Sequence, residues 1–205
     1  MSFLIYHFWY CKFVSLYYTM RDDFNIQFNE SKTINAVLYI VERIERKDFH
    51  KIFKILYFSD RELFADYGRT ISGDHYIAMT AGPVPSNLYD IFKSVRGDGF
   101  FKDDGRFSQY FDVVDKNFIV NKKEANLNAL SKKDIEYLNN SISKYANLSY
   151  SAIKELSHDY AWDNTVRDDT MSFENILLER GENDEYIHIL KDRGNTRYIL
   201  GNAPC

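Results

Sequence analysis

Asp60, Glu62, Asp74 and His158 are the side chains with which this sequence could do acid–base or metal chemistry. Carboxylates and an imidazole can hold a divalent cation or pass a proton between substrate and water, which are the needs of a metal-dependent hydrolase. The spacing works against that use. Asp60 and Glu62 stand two residues apart in a helical stretch and do not share a face. His158 lies beside Asp159 and four residues before Trp162, a setting for a packed ring near a helix end. The chain contains no HExxH, GxSxG, GxxxxGKS/T or CxxC pattern. Structural roles are therefore the preferred reading for Asp60, Asp74 and His158, and a metal-dependent hydrolase built on them is carried as the alternative. No cofactor or metal is implied.

The elements that must position these side chains centre on residues 49–90. Six of the nine glycines fall between Gly68 and Gly105, and two of the three prolines are Pro83 and Pro85. Glycine permits backbone angles that other residues resist, and proline fixes φ and removes a donor, so this backbone is tightly specified. Phe49, Ile52, Phe53, Ile55, Leu56, Tyr57 and Phe58 are apolar on nearly every side and predict a helix buried all round. Asp48 is placed to cap it and Gly68 to stop it in the left-handed conformation. Thr70–Thr80 predicts a turn at Gly73-Asp74 and a short strand carrying Tyr76, Ile77 and Met79. Gly82 and Val84 each precede a proline and are held extended. Pro85 then opens a helix through Leu88, Phe92 and Val95 that Gly97 ends. Asp60 is expected to accept N–H bonds from the Gly-Pro-Val-Pro loop or to pair with an arginine. Arg61, Tyr76 and Tyr89 have the chemistry of interface anchors, and Met79 that of an adaptable contact.

The flanking chain reads more simply. Ser31 is the expected cap of a helix with Ile34, Val37, Leu38, Val41 and Ile44 on one face and Glu42, Arg43, Glu45, Arg46 and Lys47 on the other. Strands are expected over Phe107–Val114 and Asn117–Val120, turned at Asp115–Asn117. Ser131 caps a helix that buries Ile135, Leu138 and Ile142, and Ser149 begins another that runs through Ile153 and Leu156 to near His158. A short helix is expected at Phe173–Leu178 and a short strand at Tyr186–Leu190. The sum is an α+β chain, a mainly helical single domain with a small antiparallel β-sheet. Residues 25–200 form the domain, residues 1–24 an apolar extension and residues 201–205 a tail.

Composition narrows the function classes. The 205 residues suffice for one well-buried domain. A net charge of −4 argues against a dedicated nucleic-acid binder. The basic pairs Lys122-Lys123 and Lys132-Lys133 have no helix-turn-helix beside them and read as solvated surface. With 16 Phe and 16 Tyr the core is expected to be aromatic, while tyrosine divides between core and contact surface. Cys11 and Cys205 read as free thiols in a reducing compartment, which fits a cytoplasmic protein. Residues 3–19 are strongly apolar but carry His7 and Lys12. They are read as an upstream extension with Met20 as the natural beginning; a membrane anchor, or an added element packed on the domain, is the alternative.

Leu56-Tyr57-Phe58-Ser59-Asp60-Arg61, then Tyr67-Gly68-Arg69, Gly73-Asp74 with Tyr76 and Met79, Gly82-Pro83-Val84-Pro85-Ser86 and Leu88-Tyr89-Asp90 form an ordered series. Leu130-Ser131, Leu148-Ser149 and Leu156-Ser157-His158 with Trp162 continue it. In order and spacing the series resembles the Panacea domain, the SocA-like antitoxin domain, over about residues 30–190. Ala81 stands where the family commonly has an aromatic, and Ser59 where it commonly has alanine. The resemblance implies a mainly helical fold and a type II antitoxin, bacterial or phage, that neutralises a cognate protein toxin encoded by an adjacent gene. It implies binding without catalysis. Arg61, Tyr76, Met79 and Tyr89 are the expected toxin contacts. Asp60, Gly73, Asp74, Gly82, Pro83, Pro85, His158 and Trp162 are expected to shape the platform beneath them.

Overall fold

A computed structural model describes residues 24–201. Helix α1 (Glu30–Arg43) is followed by the long α2 (Phe49–Tyr67), the hairpin β1 (Tyr76–Met79) and β2 (Gly82–Pro85), and α3 (Ser86–Arg96). A second hairpin, β3 (Phe111–Val114) and β4 (Phe118–Asn121), leads through a 3-10 turn to α4 (Lys132–Tyr145), α5 (Tyr150–Ser157), α6 (Tyr160–Asp163), α7 (Phe173–Glu179) and α8 (Asp184–Gly201). The described residues thus form a mainly helical α+β domain with two separate two-stranded antiparallel sheets.

α2 is the axis. It is buried along most of its length and packs against α1, α4, α5, α7 and β2. The Asp48 side chain accepts the Lys51 N–H at its start, and Gly68 ends it in the left-handed conformation. Aromatic rings fill the space beside it: Phe92 packs on Phe49 with centroids 4.6 Å apart and on Phe53 at 5.5 Å, and Phe58 stacks on Tyr145 at 4.0 Å. Two lysines lie inside this apolar helix without exposure. Lys51 Nζ donates to the Tyr145 carbonyl at 3.0 Å and to that of Leu148, so a cation from α2 closes the C-terminal end of α4.

Several expectations shift. Asn29, not Ser31, caps α1, because its carboxamide reaches the Lys32 N–H while its own N–H is held by the Ser72 carbonyl at 2.7 Å. α1 ends at Arg43, so Glu45, Arg46 and Lys47 lie beyond it; residues 47–49 run beside β4 instead, with Ile119 N–H donating to the Lys47 carbonyl. Phe107 opens a turn closed by the Asp103 carboxylate, and the strand begins only at Phe111. The strand expected at Tyr186–Leu190 is the start of the 18-residue α8. Ile187, Leu190 and Gly194 are buried at helical spacing, and the Asn183 side chain caps the Tyr186 N–H. Phe24, assigned to the extension, is buried edge-on against Phe64 at 5.1 Å. The rest of the apolar extension, residues 3–19 included, and residues 202–205 of the tail lie outside the described residues. Among the described residues no helix is long and apolar enough to cross a membrane.

Gly-Pro-Val-Pro, read as an extended loop, is a strand. Tyr76 pairs with Pro85, Ile77 with Val84, Ala78 with Pro83 and Met79 with Gly82. The other edge of β1 is covered by residues 168–171: Ala78 N–H donates to the Asp169 carbonyl, and the Tyr76 carbonyl accepts from Met171. Main-chain groups alternate sides along a strand, so Tyr76 and Ala78 face that segment and leave only Ile77 and Met79 facing β2. Pro83 and Pro85 thereby fall opposite positions that ask for no N–H, which is how two prolines fit a paired strand.

Candidate functional site

Asp60 is fully buried on α2 and accepts from the Ile71 N–H at 2.6 Å, the Ser72 N–H at 3.2 Å, the Ser72 hydroxyl and the Tyr76 hydroxyl at 2.8 Å. It therefore holds the 70–72 turn and β1, not the Gly-Pro-Val-Pro segment. Burial pushes its pKa up to about 6 against the pull of Ser72, Ile71 and Tyr76. Tyr76, expected at the toxin contact, points inward. It is 3% exposed, and burial together with Asp60 pushes its phenol well above the usual range.

Asp74 solves a problem that Pro85 creates. Pro85 occupies the N-cap of α3 and has no side-chain acceptor. Asp74 Oδ1 accepts from the Asn87 N–H at 2.9 Å and the Asn87 side chain at 2.8 Å, and Oδ2 accepts from the Leu88 N–H at 2.9 Å. A buried carboxylate from a different element thus supplies both the cap and the negative charge that a helix N-terminus favours. The Ser72 hydroxyl, which donates to Asp60, accepts the Asp74 N–H at 3.0 Å and ties the two centres together.

The back of the hairpin rests on a third centre. Lys54 Nζ, fully buried, donates to the Pro83 carbonyl at 2.7 Å; burial pushes its pKa down to about 7, which Asp159 partly opposes. Gly82 adopts φ 91°, and a Cβ there would stand 2.4 Å from Ser157 Oγ and 2.9 Å from Lys54 Nζ. The glycine is thus required twice, by its backbone angle and by its neighbours. Asp159 accepts from the Tyr57 hydroxyl at 2.7 Å and Arg61 Nη1 at 2.7 Å while capping α6 through the Trp162 N–H. Burial works against the Arg61 charge, but Tyr57, Glu62 and Asp159 more than offset it and raise its pKa. Trp162 Nε1 donates to the Met79 carbonyl at 3.0 Å, and the His158 ring lies flat on Trp162 at 3.6 Å. Burial and the nearby Lys154 and Lys54 lower the His158 pKa.

What reaches the surface is the hairpin tip and the rings beside it. Thr80 is exposed, and Met79, Ala81 and Trp162 are half-buried. On α2 and α5, His50 stacks on the exposed Tyr150 with centroids 4.0 Å apart, and burial and Lys54 push His50 down to about 4. Tyr89 on α3 is half-buried, edge-on to Phe53 at 5.8 Å, with Lys93 Nζ over its ring at 4.6 Å. Two departures from the resembled pattern are absorbed locally. Ser59 is buried and donates to the Ile55 carbonyl of its own helix, and Ala81 leaves the hairpin tip without a large side chain.

Sequence reasoning missed His50, Lys54, Tyr150 and Asp159. The one available signal was Lys51 and Lys54 at helical spacing inside an otherwise apolar run, since a lysine buried there must find internal acceptors. The three side chains of the hydrolase alternative are engaged with other partners. Asp60 and Asp74 flank Ser72 with their oxygens already accepting, His158 packs on Trp162, and among the described residues no three His, Cys, Asp or Glu side chains gather into a metal-binding set. The basic pairs are surface groups: Lys122 bridges to Asp112 at 2.6 Å and Lys133 to Glu136 at 2.9 Å.

The family model of the antitoxin SocA-like, Panacea domain matches residues 52–163, more than half of the chain. The match runs from the first turn of α2 to the end of α6 and includes every residue of the three buried centres. Neither the curated proteins nor the solved structures gave a match. By the family-model match the chain belongs to the SocA-like antitoxin, Panacea domain family.

Proposed function

We propose that the chain is the antitoxin of a type II toxin–antitoxin pair and neutralises a protein toxin by direct contact, covering the toxin's active or substrate-binding surface. The observation that carries this reading is the family match over the frame that holds the hairpin. The contact surface is the hairpin tip with Met79, the α3 face with Tyr89, and the edge formed by Arg61 and Trp162. Arg61 suits an anchor because Asp159 and Glu62 already fix its guanidinium, so little freedom is lost on binding. Tyr76 contributes from beneath, through Asp60. No catalytic step is required of the chain, and the protein is expected to act in the cytoplasm.

Growth rescue tests this. The adjacent reading frame is expressed alone and together with this chain. Toxicity alone, with restored growth on co-expression, is the expected result; a toxic neighbour against which this chain gives no protection would overturn the reading.

A further inference from the structure

A cleft of 280 Å3 lies away from the hairpin, between residues 24–29, the 68–73 turn and the end of α8. Its walls are fixed by close backbone crossings. A Cβ on Gly194 of α8 would stand 2.0 Å from the Phe24 carbonyl oxygen, and one on Gly73 would stand 1.8 Å from that of Gln27. The segment before α1 is therefore clamped from both sides, and the cleft is preformed.

Among the described residues the lining carries Lys32, Arg69 and Arg197 and no carboxylate. Behind it, Asp134 is fully buried and binds Lys32 Nζ at 2.7 Å and Arg69 Nη1 at 2.6 Å. Arg197 Nη2 donates to the Gly68 carbonyl at 2.7 Å, which holds the guanidinium at the rim. Among the described residues three cations stand against this one carboxylate, an excess of positive charge. A phosphate monoester carries about −1.5 to −2 at neutral pH, and its oxygens match guanidinium donors. Phe24, Ile71 and Tyr198 give the same cleft an apolar and aromatic side. We infer that this cleft binds a small phosphate-bearing molecule, with the phosphate on Lys32, Arg69 and Arg197. This site is independent of the toxin-contact reading.

Calorimetric titration of the full chain at low salt tests it, with adenosine 5′-monophosphate, inorganic phosphate and adenosine as probes. The monophosphate is expected to bind and adenosine not to. A monophosphate tighter than inorganic phosphate marks a phosphate ester as the ligand, and equal affinities mark free phosphate. Arg197→Gln is expected to weaken binding at least about ten-fold without lowering the melting temperature, because Arg197 is exposed. Arg69→Gln should do the same; if it fails to fold through loss of the Asp134 pair, Arg197→Gln decides. No binding of either phosphate probe, or binding unchanged in Arg197→Gln, would overturn the site.

Discussion

Asp74 caps the helix that Pro85 opens: its Oδ2 accepts the Leu88 N–H at 2.9 Å across the β1–β2 hairpin. Two short words of the sequence, Gly73-Asp74 and Gly82-Pro83-Val84-Pro85, are thereby one device. The first ends a turn with a carboxylate, and the second delivers a helix start that lacks an acceptor of its own.

Replacing Asp74 should therefore unfasten α3 from the hairpin. Asp74→Ala leaves the Asn87 and Leu88 N–H groups without their acceptor and is expected to cost about 2 kcal/mol or more. Asp74→Asn keeps one acceptor oxygen and should fall between the two. Urea unfolding followed by circular dichroism measures both, and an Asp74→Ala variant as stable as the wild type would remove the cap from the account.

Asp60 gives a signature in pH. Its folded carboxyl holds a proton up to about 6, whereas an unfolded aspartate releases it near 3.8. Between those values the folded state binds more protons, so the contribution of this group is complete below the lower value and is lost as pH rises through the upper one. The loss amounts to about 3 kcal/mol. Asp60→Asn should flatten that segment of the melting-temperature profile relative to wild type, and parallel profiles would refute the assignment.

Lys54 has the opposite sign. Its folded pKa lies at about 7 against 10.5 for the free side chain, so the folded state binds fewer protons in between. Stability from this group is gained as pH rises through that window. Lys54→Met should abolish the gain while loosening β2 from α2, since the Pro83 carbonyl loses its donor. Melting curves at pH 7 and pH 10 for wild type and variant read it directly.

Gly82→Ala meets both a positive φ of 91° and the ends of Ser157 and Lys54. The side-chain ends can move but the backbone angle cannot, so a cost of about 1–3 kcal/mol is expected. Adding Ser157→Gly should recover only part of it. Full recovery in the double variant would mean that crowding alone demands the glycine.

Much of the frame was legible in the sequence because it is local. Asp48 and Gly68 bracket α2, Ser131 with Asp134 forms a capping box, and Ser149 starts α5, all from signals within a few residues. Pairings across the chain were not. Nothing near Asp60 tells whether it serves the 70–72 turn or the proline segment, because that depends on which face of α2 turns toward β1. Residues 168–171 carry no strand pattern, yet they pair with β1 and so set which positions of β2 can be proline. Tyr76 shows the same limit at the site. Its type suits a surface anchor, and only the side of the strand it occupies reveals it as a buried donor to Asp60. Residues 186–190 carry a short, nearly continuous apolar run interrupted only by His188, too short to tell a strand from a helix, and Gly194 further on completes the helical spacing.

Affinity of the purified chain for the proposed toxin, the product of the adjacent reading frame, tests the central claim most directly. Calorimetry would compare wild type with the double variant Met79→Ala/Tyr89→Ala and with Tyr76→Phe. Wild type is expected to bind, the double variant to remain folded but bind at least about ten-fold more weakly, and Tyr76→Phe to melt lower while binding as wild type does. A wild-type chain that does not bind, or a folded double variant with undiminished affinity, would contradict the account.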